Sequence, residues 1–139
     1  MKSDTIHIRK AGLMPYVYEN GEPVFMFMVP SDPNFGGSKP AIAKGNIDQG
    51  ESVLDAAIRE AEEELGLVKS NMIPQTLKLV WTGHKGYAMT IFMCEVSNKE
   101  NFVEPHFETG ETHWLTAKQF TEHGKSWQIS IVNKARSLL

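Results

Sequence analysis

The stretch GNIDQGESVLDAAIREAEEELGL, residues 45–67, constrains the fold more than any other part of this 139-residue chain. It carries both ends of a helix. Ser52 followed three residues later by Asp55 reads as a capping box with aspartate in place of glutamate, which predicts a helix start near Val53. Gly66 is a natural left-handed stop. Between those limits Leu54, Ala57, Ile58, Ala61 and Leu65 recur at helical spacing and predict a single apolar face. Such a stripe has to be buried against another layer.

The flanking sequence supplies that layer as strands. Asn20-Gly21 lies between two β-prone runs, Leu13–Tyr18 and Val24–Val29, a strong hairpin signal. Residues 30–40 hold three prolines and two glycines and read as a loop, followed by the short apolar run Ala41–Ala43. Thr76–Thr82 and Tyr87–Val96 read as two more strands joined by a turn at 83–86, and Thr112–Leu115 as a short one after a loop over 97–111. Trp127, Ile131, Ala135 and Leu138 predict an amphipathic helix over the tail from Ser126 to Leu139. The expected architecture is α/β, in the α+β sense: one domain over residues 1–139, with a mixed β-sheet packed between helices.

Composition removes several function classes. A net charge of −3 leaves no broad basic footprint for a nucleic-acid backbone, so no DNA partner is expected. One cysteine, Cys94, rules out an internal disulfide and a CxxC metal site. The longest apolar runs, such as VFMFMV at 24–29, are far too short to span a bilayer, and the amino terminus has no apolar signal region. These features predict a soluble, cytoplasmic protein with no membrane partner.

The central helix ends with four glutamates in five residues. Helical geometry puts Glu60, Glu63 and Glu64 on a face of their own, with Glu62 pointing away and small Ala56 leaving room for something to approach. Glu60 and Glu64 are like charges four residues apart, which costs about 0.2–0.5 kcal/mol in an isolated helix. They also stand near the helix C-terminus, where the dipole disfavours anions. A hard divalent cation turns this repulsion into coordination, because it prefers carboxylate oxygens.

The spacing of the whole stretch resembles the Nudix box, GX5EX7REUXEEXGU, with U an aliphatic residue. Gly45, Glu51, Arg59, Glu60, Glu63, Glu64, Gly66 and Leu67 fill its fixed positions, and Ala61 stands at the first U. The resemblance implies an α/β/α sandwich. It also implies a Mg²⁺- or Mn²⁺-dependent hydrolase acting on a small-molecule nucleotide, in which water attacks phosphorus in a nucleoside diphosphate linked to another moiety. On that resemblance Glu60, Glu63, Glu64 and the Gly45 carbonyl are the metal ligands, while Glu51 and Arg59 hold the loop and helix in register. The proton acceptor is Glu60, Glu63, Glu64 or a carboxylate of the later loop, where Glu111 is favoured over Glu108.

Lys44-Gly45 is similar to the Lys-Gly of dinucleoside polyphosphate and diphosphoinositol polyphosphate hydrolases and makes Lys44 a candidate phosphate contact. Lys85 and Tyr87, at the predicted hairpin turn, are candidates for a phosphate contact and a base-stacking ring. Gly36-Gly37-Ser38-Lys39 lacks phosphate-loop spacing and reads as a lid beside the site. The substrates implied are dinucleoside polyphosphates or ADP-ribose-like nucleotide sugars. The alternatives are the 5′ end of an RNA and a non-catalytic nucleotide sensor.

Overall fold

The Asn20-Gly21 pair turns the chain as its sequence requires. Both residues take positive φ, 53° and 81°, the combination a tight two-residue hairpin needs. They join strand β1 (Arg9–Glu19) to β2 (Glu22–Pro30) in antiparallel register, with Glu19 opposite Glu22. The structure, a computed structural model, describes residues 9–84 and 86–139.

β1 organises the sheet. One of its edges runs parallel to β5 (Ala88–Glu95) over the full length of that strand. The other edge is divided: its later residues pair with β2, while Lys10, Ala11 and Gly12 pair with the three-residue strand β3 (Lys44–Asn46). With β4 (Lys78–His84) beside β5 and β6 (Thr109–Leu115) beside β2, the order is β4-β5-β1-β2-β6. The sheet is mixed, as the sequence predicts.

Both faces of the central strands are covered. On one face Ala11, Leu13, Met26, Met28 and Cys94 pack against Ala56, Ala57, Ile58, Ala61 and Leu65 of helix α1 (Val53–Leu65). On the other, Met14, Phe25, Phe27, Ile91 and Met93 pack against α2 (Ala117–His123) and α3 (Ile129–Ser137) through Phe120, Ile131, Val132 and Ala135. Strands buried on two faces read as unbroken apolar runs, which is why VFMFMV at 24–29 shows no polar alternation.

The caps of α1 form where the sequence puts them. Ser52 Oγ accepts from the Asp55 backbone N–H at 3.0 Å, and Gly66, at φ 78°, donates to the carbonyls of Ala61 and Glu62. A Cβ on Gly66 would collide with the Val103 carbonyl as well, so glycine is required twice over. Three expectations are corrected. Ala56 is completely buried in the core under α1 and opens no space on the acidic face. β6 starts three residues before Thr112, because Thr109 pairs with Pro30 across a bulge. Helix α2 was missed, although Thr116 and Gln119 form a complete capping box with backbone contacts at 3.1 and 2.9 Å.

Candidate active site

Strand β3 is short, but its two faces serve different layers. Gly45 lies opposite Ala11, on the α1 side of the sheet, and its backbone abuts Glu60 so closely that a Cβ would enter the Glu60 carboxyl group. Its neighbour Lys44 faces the α3 side. The Lys44 ammonium is 5.7 Å from the centre of the Tyr87 ring and 5.5 Å from that of Trp127, and Lys10 Nζ stands over the same Tyr87 ring at 4.6 Å. Alternation along three residues thus sets a carboxylate against one side of the strand and cations with aromatic rings against the other.

Arg59 is the hub on the helix side. Its Nε and Nη2 grip Glu51 in a two-point contact at 2.8 and 3.0 Å, and Nη2 also donates to the Asn46 carbonyl at 2.9 Å. Nη1 reaches Glu60 Oε2 at 2.9 Å and Glu63 Oε2 at 3.2 Å. These bonds raise the arginine's pKa, Glu51 contributing most, and hold the Glu51 carboxyl below its ordinary range. The loop before the helix is therefore tied to its middle turns.

Glu64 lies in a different environment. Its Oε1 accepts from the Lys44 backbone N–H at 3.1 Å. Burial, with the Glu60 charge next in size, pushes its carboxyl up to about 8, against the pull of the Lys44 N–H and ammonium. Burial also raises Glu60, with Arg59 opposing. Lys44 is driven below its usual range by burial, against Glu64 and Glu60.

A cleft of about 190 Å³ opens beside this pair, with Phe35, Glu108, Lys125 and Gln128 on its walls. Lys125 donates to the Gly36 carbonyl at 2.9 Å and is depressed by burial and then by Lys44 and Lys10, so the three lysines share one patch of field. Buried Gln128 accepts from the Ile42 N–H at 2.7 Å and fastens the approach to β3 onto the start of α3.

The donor set suits a hard divalent ion. Among the described residues, one oxygen each of Glu60, Glu63 and Glu64 is engaged by Arg59 or the Lys44 N–H, and the other carries no hydrogen bond. Burial pushes two of these carboxyls, Glu60 and Glu64, toward protonation in spite of the neighbouring Arg59 and Lys44. No three His, Cys, Asp or Glu side chains among the described residues already converge as a cage, because Arg59 draws Glu60 and Glu63 to itself.

Several expected site residues meet here: Lys44, Gly45, Glu51, Arg59, Glu60, Glu63, Glu64 and Tyr87. Lys85 lies outside the described residues. Glu111 is not brought to the site. It shares a strand face with His113 and Leu115, Leu115 packs on the α2–α3 side, and Glu111 pairs with His113 Nε2 at 2.8 Å in the open. Glu108, in the turn before β6, lines the cleft instead and adds to the raised pKa of Glu64. Lys10, Lys125 and Gln128 were missed. Only their distance from the box kept them hidden, since no local motif marks them.

The family model described as NUDIX domain matches residues 9–134. The chain belongs to the NUDIX domain family. With its box complete, it is a pyrophosphohydrolase in class. An Ap4A hydrolase from C. elegans, solved as a binary complex, superposes with a TM-score of 0.75 at 21% identity, over 94% of this chain and 96% of that one. The M. smegmatis Nudix hydrolase RenU gives 0.74 at 19% identity, over 93% and 83%. The NUDIX domain of Shewanella oneidensis NrtR, complexed with ADP ribose, gives 0.68 at 11% identity, over 94% and 87%. At these identities the likeness is one of fold. No curated protein matches the sequence significantly. No helix among the described residues is long and apolar enough to cross a membrane.

Proposed function

We propose that this protein hydrolyses the pyrophosphate bond of a nucleoside diphosphate linked to a second moiety, with dinucleoside polyphosphates or ADP-ribose-like nucleotide sugars as substrates. One observation carries the reading: Lys44 stands between the carboxylates of buried Glu60 and half-buried Glu64 and a patch formed by Lys10, Lys125, Tyr87 and Trp127. A phosphate chain needs cations along its length, and the adjoining ring faces suit a base.

Glu60, Glu63, Glu64 and the Gly45 carbonyl would hold a Mg²⁺ or Mn²⁺ ion. Bound there, such an ion supplies neutralisation of phosphate charge and acidification of the attacking water. The chain's own residues do the rest. Lys44 and Lys125 bind phosphate oxygens, and Arg59 keeps Glu60 and Glu63 from swinging away. As the water oxygen bonds to phosphorus, the bridging P–O bond breaks and one of Glu60, Glu63 and Glu64 takes the proton.

The test is a substrate panel of diadenosine tetraphosphate, ADP-ribose, nucleoside triphosphates and 5′-triphosphorylated RNA, with Mg²⁺ or Mn²⁺ and product identification. Cleavage of the dinucleotide or the nucleotide sugar, with a chelator abolishing it, is the expected result. Nucleotide binding without turnover on any substrate would overturn the reading in favour of a sensor.

A further inference from the structure

The two most exposed large apolar side chains among the described residues, Phe107 at 89% and Phe35 at 80%, stand 72 positions apart in sequence. Both line a second cleft, of about 380 Å³, with Ser31, Asp32 and Glu108. That cleft shares Phe35 and Glu108 with the one beside Glu64 and Lys44, so the two are neighbours.

The backbone that carries both rings is tied down by hydrogen bonds. The residue before Phe107, His106, donates its backbone N–H to the Glu63 carbonyl at 2.8 Å. The residue after it, Glu108, accepts at its carbonyl from the Ser31 N–H at 2.9 Å, joining the two loops. The Phe35 N–H donates to the Asp32 carbonyl at 2.9 Å and closes its own turn. The backbone beside both uncovered rings is thereby fixed, and for Phe107 the contact one residue away reaches the end of α1.

The charge of this second cleft differs from that of the first. Its ionisable lining residues, Asp32 and Glu108, are both acids. Asp32 Oδ1 accepts from the Asn34 N–H at 3.0 Å, which sets the carboxylate's direction. Such a lining repels a phosphate. It suits a flat, uncharged heterocycle whose amino group donates hydrogen bonds.

We propose that Phe35 and Phe107 form the subsite for the second nucleobase of a two-ended substrate, with Asp32 and Glu108 as acceptors for its exocyclic amine. This rests on the phosphate-chain reading above and deepens it. Tyr87 and Trp127 adjoin Lys44, and the two phenylalanines line the neighbouring cleft, so aromatic surface is offered at two places around the carboxylates. A dinucleoside polyphosphate uses both ends, whereas a mononucleotide leaves one empty.

The experiment compares diadenosine tetraphosphate with adenosine 5′-tetraphosphate, which has the same number of phosphates but one base. In the Phe107→Ala and the Phe35→Ala/Phe107→Ala proteins the ratio of kcat/KM for the two-base over the one-base compound falls about tenfold or more, through KM. Leu79→Ala, an exposed apolar position on β4, leaves the ratio unmoved. An unchanged ratio, or an equal loss on both compounds, would overturn the proposal. So would a self-association of the wild type that disappears with the two rings, since a second copy would then be their occupant. If the wild type cleaves neither compound, dinucleoside polyphosphates drop out as substrates while the subsite is still tested by binding. The same ratio is then read as affinity by calorimetry, where a lost preference for two bases supports the subsite and no preference in the wild type sinks it.

Discussion

Helix α1 carries two clusters of charge only five residues apart, and they are built in opposite ways. Around Arg59 every guanidinium nitrogen has a carboxylate or carbonyl partner, and of the carboxylates only Glu60 belongs to a buried residue. Around Glu64 a carboxyl sits in a poorly solvated place with one backbone N–H, a depressed lysine and another acid for company. The first arrangement satisfies its charges and holds the loop to the helix. The second leaves them wanting a cation. Marginal stability makes such a deficit costly to keep, and it persists where a ligand makes it good.

The largest effect that would test this contrast falls on catalysis. Glu64→Gln is expected to lower kcat/KM by at least about a hundredfold while leaving the melting temperature equal to or above that of wild type. The amide can still accept from the Lys44 N–H, and the burial penalty of the charge is gone. Steady-state kinetics with calorimetric melting checks both halves; near wild-type turnover would remove Glu64 from the mechanism.

Arg59→Lys should show the reverse weighting, with a clear loss of stability. A lysine cannot reproduce the two-point grip on Glu51, and a lower urea midpoint near neutral pH is expected. Because folding holds the Glu51 pKa down, this stabilisation is present above the ordinary glutamate range and is lost as pH falls through the lowered folded value. Urea midpoints for wild type and variant should therefore converge in acid. A gap that persists there would mean that the arginine acts through packing.

The smallest effect separates the two clusters by their response to an ion. The folded pKa of Glu64 is raised to about 8, so the folded state keeps a proton that the unfolded chain has released. Stability therefore falls as pH rises from the ordinary glutamate range toward that value. Mn²⁺ should offset the loss, raising the melting temperature more at about pH 8.5 than at about pH 6. Equal shifts at both values, or an undiminished shift in Glu64→Gln, would place the ion elsewhere.

Much of this molecule was legible before its structure. Local chemistry carried the hairpin at Asn20-Gly21, both ends of α1 and the clustering of Glu60, Glu63 and Glu64, because each depends on residues no more than about a dozen positions apart. Helix α2 was equally local, and the Thr116–Gln119 box could have revealed it. The strand face of Glu111 was harder. It depends on where β6 joins β2, and a shift of one residue would have turned that side chain toward the other layer.

By itself, the sequence determined the family, the carboxylate helix and the Arg59–Glu51 clamp, since box spacing and helical periodicity are properties of one segment. Only the tertiary structure decided that Lys10 and Lys125 join Lys44, that Glu108 replaces Glu111 at the cleft, and that Phe35 and Phe107 share a wall. Those neighbours come from β1, two loops and the segment just before α3. They meet because strand pairing and layer packing are long-range, and no pattern within a single segment encodes which distant side chains will share a field.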